Sequence, residues 1–266
     1  MTPYLGITIA AGLLAAGTQT ITVYRTAGGR TMPVRGGIRK YAVGGATVAD
    51  YEAPFGVPLT YRAEQFDAAG FSLGYTANVA ATLDVAETWI HNPLDPATGL
   101  AVTMERDAAR SLTRPTTADV AYPIGRGVGV AVTGQRTGLR DVDLSFLTFT
   151  DEAADAAQAL FGDPYTEYSL PPVLCVRTGA GKKMRLPQPL FAAVDVTEVP
   201  LDTGTGGSTV KWQVTGQEAT PPAVGVIAPA YTLADLDATH ATLGALNAAY
   251  LTLLDIDRDY GIAGAA

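Results

Sequence analysis

The chain has 266 residues, 47% of them hydrophobic and 17% charged, enough apolar side chain to bury the core of one large or two ordinary domains and too little charge for a disordered chain. A net charge of −8 excludes nucleic acid as a primary ligand, because the phosphate backbone needs a basic face. The single cysteine, Cys175, excludes an internal disulfide framework and a cysteine-built zinc site, and two well-separated histidines, His91 and His240, leave little for a histidine-based metal site.

The 29 glycines and 17 prolines punctuate short alternating runs rich in Thr and Val, an all-β signature. Leu5 to Ala16 is apolar, but no basic segment precedes it and it runs into the alternating Thr20–Arg25, so it reads as the start of the fold and not as a signal peptide. No apolar stretch approaches the ~18–20 residues that span a bilayer. The expectation is a soluble chain made in the cytoplasm, with no membrane partner.

Residues 1–84 predict a β-sandwich of immunoglobulin or fibronectin scale. Ile21 and Val23 share one strand face, Gly28-Gly29 suits a tight hairpin turn, and Val57, Leu59, Tyr61 and Ala63 alternate with polar residues. Trp89-Ile90-His91-Asn92-Pro93-Leu94-Asp95-Pro96 reads as an ordered linker. Residues 85–220 predict a β-barrel or split barrel in the order strand, strand, helix, then four strands. Val128, Val130 and Val132 form one strand face, with a turn at Gly134–Gly138 and a strand from Val142 to Phe149. The helix covers 151–161: Thr150 is its N-cap, Asp151 and Glu152 suit the positive end of the helix dipole, and Ala153, Ala156, Ala157, Leu160 and Phe161 form an apolar stripe that needs a sheet to cover. Gly162 ends it in an αL cap. Leu174–Leu186 predicts a hairpin turning at Thr178–Gly181, Phe191–Val199 a strand, and Val210, Trp212 and Val214 a half-buried strand.

Residues 221–266 combine a Pro-rich linker with a decapeptide repeat. Tyr231–His240 aligns with Ala241–Tyr250 and Leu251–Tyr260, matching Thr232, Thr242 and Thr252, Leu233, Leu243 and Leu253, and Leu236, Leu246 and Ile256, with a ring closing each unit. A period of ten winds around a helix of 3.6 residues per turn, so the repeat predicts three short helical turns, each capped by its Thr, with Asp235 and Asp255 at capping-box positions. Such units cannot bury their own leucines. The candidate contact residues are therefore Leu233, Leu236, Leu243, Leu246, Leu253, Ile256, Tyr250 and Tyr260, packing on the same chain or on another subunit.

Catalytic signatures are weak throughout. Thr178-Gly179-Ala180-Gly181-Lys182-Lys183 resembles the end of a phosphate loop, but Val176 stands where the first glycine belongs and Lys183 where Ser or Thr would hold magnesium. Gly125 to Gly129 is glycine-rich but opens a strand. Cys175 lies in an apolar run and reads as a buried, inert thiol. His91 near Asp95 has no serine in a nucleophile-elbow context. Asp255, Asp257 and Asp259 lack the glycine and distal glutamate of a calcium loop. Trp212 reads as core. No catalytic, cofactor-binding or metal-binding residue is assigned, and no cofactor is expected.

Three stretches carry a family resemblance: Thr22–Gly36 with Tyr51–Tyr61, then Trp89–Pro96 followed by Gly125–Phe149 and its helix, then the Thr-Leu repeat. On these the chain resembles minor tail proteins of long-tailed phages of actinobacteria, of the distal-tail or upstream-hub type. The resemblance implies a structural virion protein without enzymatic activity, assembled in the host cytoplasm into a homo-oligomeric ring, usually a hexamer, that joins the tail tube protein to the tail hub and other minor tail proteins of the baseplate. The alternative on the same β-sandwich is a carbohydrate- or receptor-binding protein of the virion, which would need exposed aromatic rings.

Overall fold

The computed structural model describes residues 2–122, 124, 125, 127–162, 173–182, 184–202, 204, 206–223, 233–252, 255, 256 and 262. Among these the chain is mostly β, with several sheets and one closed six-stranded barrel.

The N-terminal part holds eight strands. β2 (Thr20–Ala27) pairs antiparallel with β3 (Arg30–Pro33) through Gly28 and Gly29, whose φ values of 53° and 79° give the turn both positive central angles that match the twist of a hairpin. Beside β2 run β4 (Lys40–Tyr41) and β6 (Leu59–Phe66), the latter in register from Thr20↔Phe66 to Ala27↔Leu59. β7 (Ser72–Tyr75) and β8 (Val79–Ala81) share the far edge of β6. A separate ribbon, β1 (Leu5–Ala10) with β5 (Gly45–Asp50), lies over this sheet, and Ile9, Ile21, Val23, Val48, Leu59 and Tyr61 form the core between them. Along most of β6 the side chains alternate: Leu59, Tyr61 and Ala63 are buried and Arg62 is exposed, before Gln65 and Phe66 are both buried at its end.

The barrel is built from β9 (Thr88–Asn92), β10 (Asp95–Met104), β14 (Phe146–Thr148), β17 (Val210–Glu218), β16 (Leu190–Pro200) and β15 (Val173–Arg177), each paired antiparallel with the next and β15 closing on β9. A short β13 (Val142–Asp143) adds to β17 beyond β14. Closure leaves no open edge around this core. Inside, Phe146 and Trp212 stack with ring centres 6.1 Å apart, and the indole N–H donates to Thr148 at 3.1 Å, so the one polar atom of Trp212 is satisfied. Helix α1 (Asp151–Phe161) covers one opening. The Thr150 hydroxyl accepts from the Ala153 amide, and Ala154, Ala157, Leu160 and Phe161 pack on the barrel core, Phe161 5.6 Å from Trp212.

Several expectations need correction. Trp89–Pro96 is no linker: it supplies β9 and the start of β10, because Ile90 belongs to the barrel core and its neighbours face outward. The Leu174–Leu186 hairpin is wider than predicted, since the return strand begins at Leu190. Gly162 has φ 88° and ψ 147°, a left-hand φ with an extended ψ, and so turns the chain out of the helix instead of adopting an αL cap. Gly134 lies inside β12 (Val130–Arg136) and not in a turn.

The last departure is the largest. β12 pairs only with β11 (Thr116–Ala121) among the described residues, and every residue of both strands is exposed. Val128, Val130 and Val132 belong to a ribbon that leaves the barrel. In the C-terminal segment, α2 (Leu233–Thr239) and α3 (Leu243–Ala249) match the first two repeat units. Thr242 caps α3 by accepting from Ala245 at 3.1 Å, and Thr252 and Asp255 exchange backbone-to-side-chain hydrogen bonds as a capping box.

Candidate assembly interface

Ionisable groups converge at one place, where the N-terminal sheet meets the barrel. In β9 and β15 the residues alternating with core-facing Ile90 and Val176 are Trp89, His91, Cys175 and Arg177, and His91, Cys175 and Arg177 are wholly buried. Arg177 lies 4.4 Å over the Phe55 ring and donates to the Ala53 carbonyl at 3.3 Å. Behind it, Nη1 of Arg25 reaches both carboxylate oxygens of Asp50 at 2.6 and 2.7 Å, and the Tyr61 hydroxyl donates to Asp50 at 2.8 Å. Arg35 donates from Nε to Glu52 at 2.7 Å and from its two terminal nitrogens to the carbonyls of Ala223 and Pro222, each at 2.9 Å. It thus holds the chain where it leaves the barrel.

Burial sets the protonation states here. It lowers Arg177 to about 10 and pushes the Cys175 thiol well up, leaving it a poor nucleophile. His91 is held well below its ordinary 6.5 by burial, and then by the positive charges of Arg177 and Arg35; neither ring nitrogen has a hydrogen-bond partner among the described residues. Burial also raises Glu52, against the opposing pull of Arg35. Through Arg177 on Phe55 and Ala53, and Arg35 on Ala223 and Pro222, the barrel and the chain leaving it are tied to the N-terminal sheet.

Elsewhere, among the described residues, no group of three His, Cys, Asp or Glu side chains has the arrangement to hold a metal ion. No described helix is long and apolar enough to cross a membrane. Trp212 is core, and Trp89 is half-buried with its indole nitrogen shielded from solvent.

The prominent exposed features are apolar. The ribbon of β11 and β12 is rooted in the barrel at its base, where Thr137 donates to the Pro115 carbonyl, and Leu139, itself buried, pairs through its backbone with Glu218. Beyond that root the register places Ala121 with Val130 and Asp119 with Val132 on one face, and Val120 with Ala131 on the other, beside Tyr122 and Gly129. Tyr122 is 70% exposed, Val128 82% and Val132 67%. Residues 116–136 contain only Asp119, Arg126 and Arg136 as charged residues. A two-stranded ribbon with apolar side chains on both faces and no core of its own is marginal in water.

The repeat divides its leucines. Leu233, Leu243 and Leu251 are 83%, 78% and 93% exposed, whereas Leu236, Leu246 and Ile256 are half-buried. Tyr250 packs edge-on against His240 with ring centres 5.3 Å apart, joining consecutive units. Leu253 and Tyr260 lie outside the described residues. Sequence reasoning placed Val130 and Val132 on a strand face but did not single out the exposed Val120, Tyr122 and Leu251. The valine alternation was visible, but a strand face covered by its own core and one left bare carry the same pattern.

No protein-family model, no curated protein and no solved structure matches the chain.

Proposed function

We propose that this protein is a structural subunit of a phage tail tip, forming a closed homo-oligomeric ring that joins the tail tube to the hub of the baseplate. The observation that carries this reading is the β11–β12 ribbon, which bears exposed valines on both faces, is exposed along its whole length and is anchored on the barrel. Burying a valine side chain is worth about 1.5–3 kcal/mol, so the ribbon gains stability only when a neighbouring subunit covers it. The Arg177 junction supports the same role, because a ring subunit must hold its domains at a fixed angle for successive copies to close. In this reading the N-terminal unit is an immunoglobulin- or fibronectin-like sandwich, the C-terminal repeat reaches a neighbour through Leu233, Leu243 and Leu251, and the virion tail tip is the site of action.

The test is sedimentation velocity of the full chain beside a variant in which residues 116–136 are replaced by a short Gly-Ser turn. The full chain is expected to sediment as one discrete oligomer and the variant as a folded monomer. If the two sediment alike, the ribbon is not the assembly element.

A further inference from the structure

The N-terminal unit is an incomplete sandwich. Its larger sheet carries strands to both sides of β6, but the ribbon above it has only β1 and β5. Where the missing strand would lie there is an apolar groove of about 340 Å³. Leu5 to Ile9 line it from β1 and Val79 and Ala81 from β8, with the buried Val23 and Ala63 beneath and Arg62 the one charged residue in its lining. Five consecutive residues of one strand can line a groove together only if the strand presents its edge, backbone groups included. Among the described residues β1 pairs with β5 alone, so that edge is open, and it carries no charge and no proline to block pairing.

The ribbon of β12 has the complementary form. Among the described residues its second edge is also open. Its seven residues match the six of β1 in length, and Val128, Val130 and Val132 repeat with the period of two needed to drop alternate side chains into such a groove. Its only charged residue, Arg136, stands at the end. In its own chain the ribbon is exposed, so it does not fill its own groove.

We infer that β12 of one copy adds to the β1 edge of a second copy, completing that copy's sandwich with its valines and forming a continuous sheet β11–β12–β1–β5 across the subunit boundary. The inference rests on the assembly reading above and specifies its contact. The contact is head-to-tail, since donor strand and acceptor groove are different surfaces, and repetition of it makes a ring when the rotation closes.

Head-to-tail geometry has a distinctive consequence for mixed variants. Val130→Lys disables the donor and leaves the groove intact, and Ile7→Lys disables the groove and leaves the donor intact. Each alone is expected to be monomeric by size-exclusion chromatography with light scattering. Mixed in equal amounts they retain one good donor and one good groove, and are expected to give a discrete dimer. Because Ile7→Lys could perturb folding, hydrogen exchange on the unmodified chain gives a second measurement: amides of residues 5–10 and 130–136 are expected to exchange more slowly in the assembled protein than in the Val130→Lys monomer. A mixture that stays monomeric, with unchanged exchange at residues 5–10, while the unmodified chain assembles, overturns this contact and leaves the assembly reading standing. An unmodified chain that never assembles overturns both.

Discussion

The guanidinium of Arg177 rests on the ring of Phe55, 4.4 Å from its centre, and this pair joins the barrel to the N-terminal sheet. Both residues are almost entirely buried, so the cation is shielded from water and depends on the ring, on the Ala53 carbonyl and on the nearby carboxylates. Phe55→Ala removes the ring and opens a cavity beneath a buried charge, at an expected cost of about 3 kcal/mol or more. Arg177→Met keeps the volume and removes the charge, and is expected to cost less than Phe55→Ala. Urea denaturation of both variants checks the order. In Phe55→Ala the N-terminal sheet and the barrel are also expected to unfold in separate steps.

Two glycines allow the close packing of the 178–181 turn against neighbouring segments. Gly56 has φ 66°, and a Cβ there would come within 2.8 Å of the Ala180 Cβ. At Gly179 a Cβ would collide with the Ala86 backbone carbonyl, which cannot move as a side chain would. Gly179→Ala is therefore expected to lower the melting temperature more than Gly56→Ala, where αL strain of about 1–2 kcal/mol adds to a milder clash with Ala180. Thermal unfolding followed by circular dichroism compares them.

His91 gives stability a pH dependence of definite sign. Its folded-state pKa is depressed, so below 6.5 the unfolded chain takes up a proton that the folded chain does not, and stability falls as pH drops, by at most about 1.4 kcal/mol per pH unit. Glu52, raised from 4.5, acts with the opposite sign, losing stability as pH rises from 4.5 toward its folded value. Comparing wild type with His91→Leu cancels the glutamate contribution. The variant is expected to lose less stability than wild type between pH 6.5 and more acidic solution, read as a smaller drop in the denaturation midpoint. Parallel curves would mean that His91 is not buried neutral.

Thr242 closes the first turn of α3 and touches little else. Thr242→Ala is expected to reduce helicity in the C-terminal segment by an amount consistent with about 1 kcal/mol of lost capping, leaving the barrel's melting temperature unchanged. Truncation after Pro229 is likewise expected to leave the barrel and the N-terminal sheet folded and to weaken assembly. A truncated chain that unfolds would show that the repeat packs on its own body.

Much of the architecture was legible because local physics decides it. Gly28-Gly29 can only be a tight turn, Thr150 with two acids and an apolar stripe can only begin a helix, and Val210, Trp212 and Val214 point one way in any strand. The topology was less so. His91 looked like part of a linker because Pro93 and Pro96 follow it, yet it sits in β9 and is wholly buried on the outer side of the barrel wall. The charged cluster was invisible because Arg25, the neighbouring Asp50 and Glu52, and Arg177 lie on separate segments that meet only after the fold packs. The ribbon was misplaced for a further reason: whether a valine face meets its own core or a neighbour depends on closure of a barrel whose strands β9 and β16 are about a hundred residues apart.

Negative-stain electron microscopy of the purified chain tests most directly whether it assembles. Closed rings of uniform diameter with a central channel are the predicted result. A field of single compact particles, unchanged when tail tube protein is added, would contradict it.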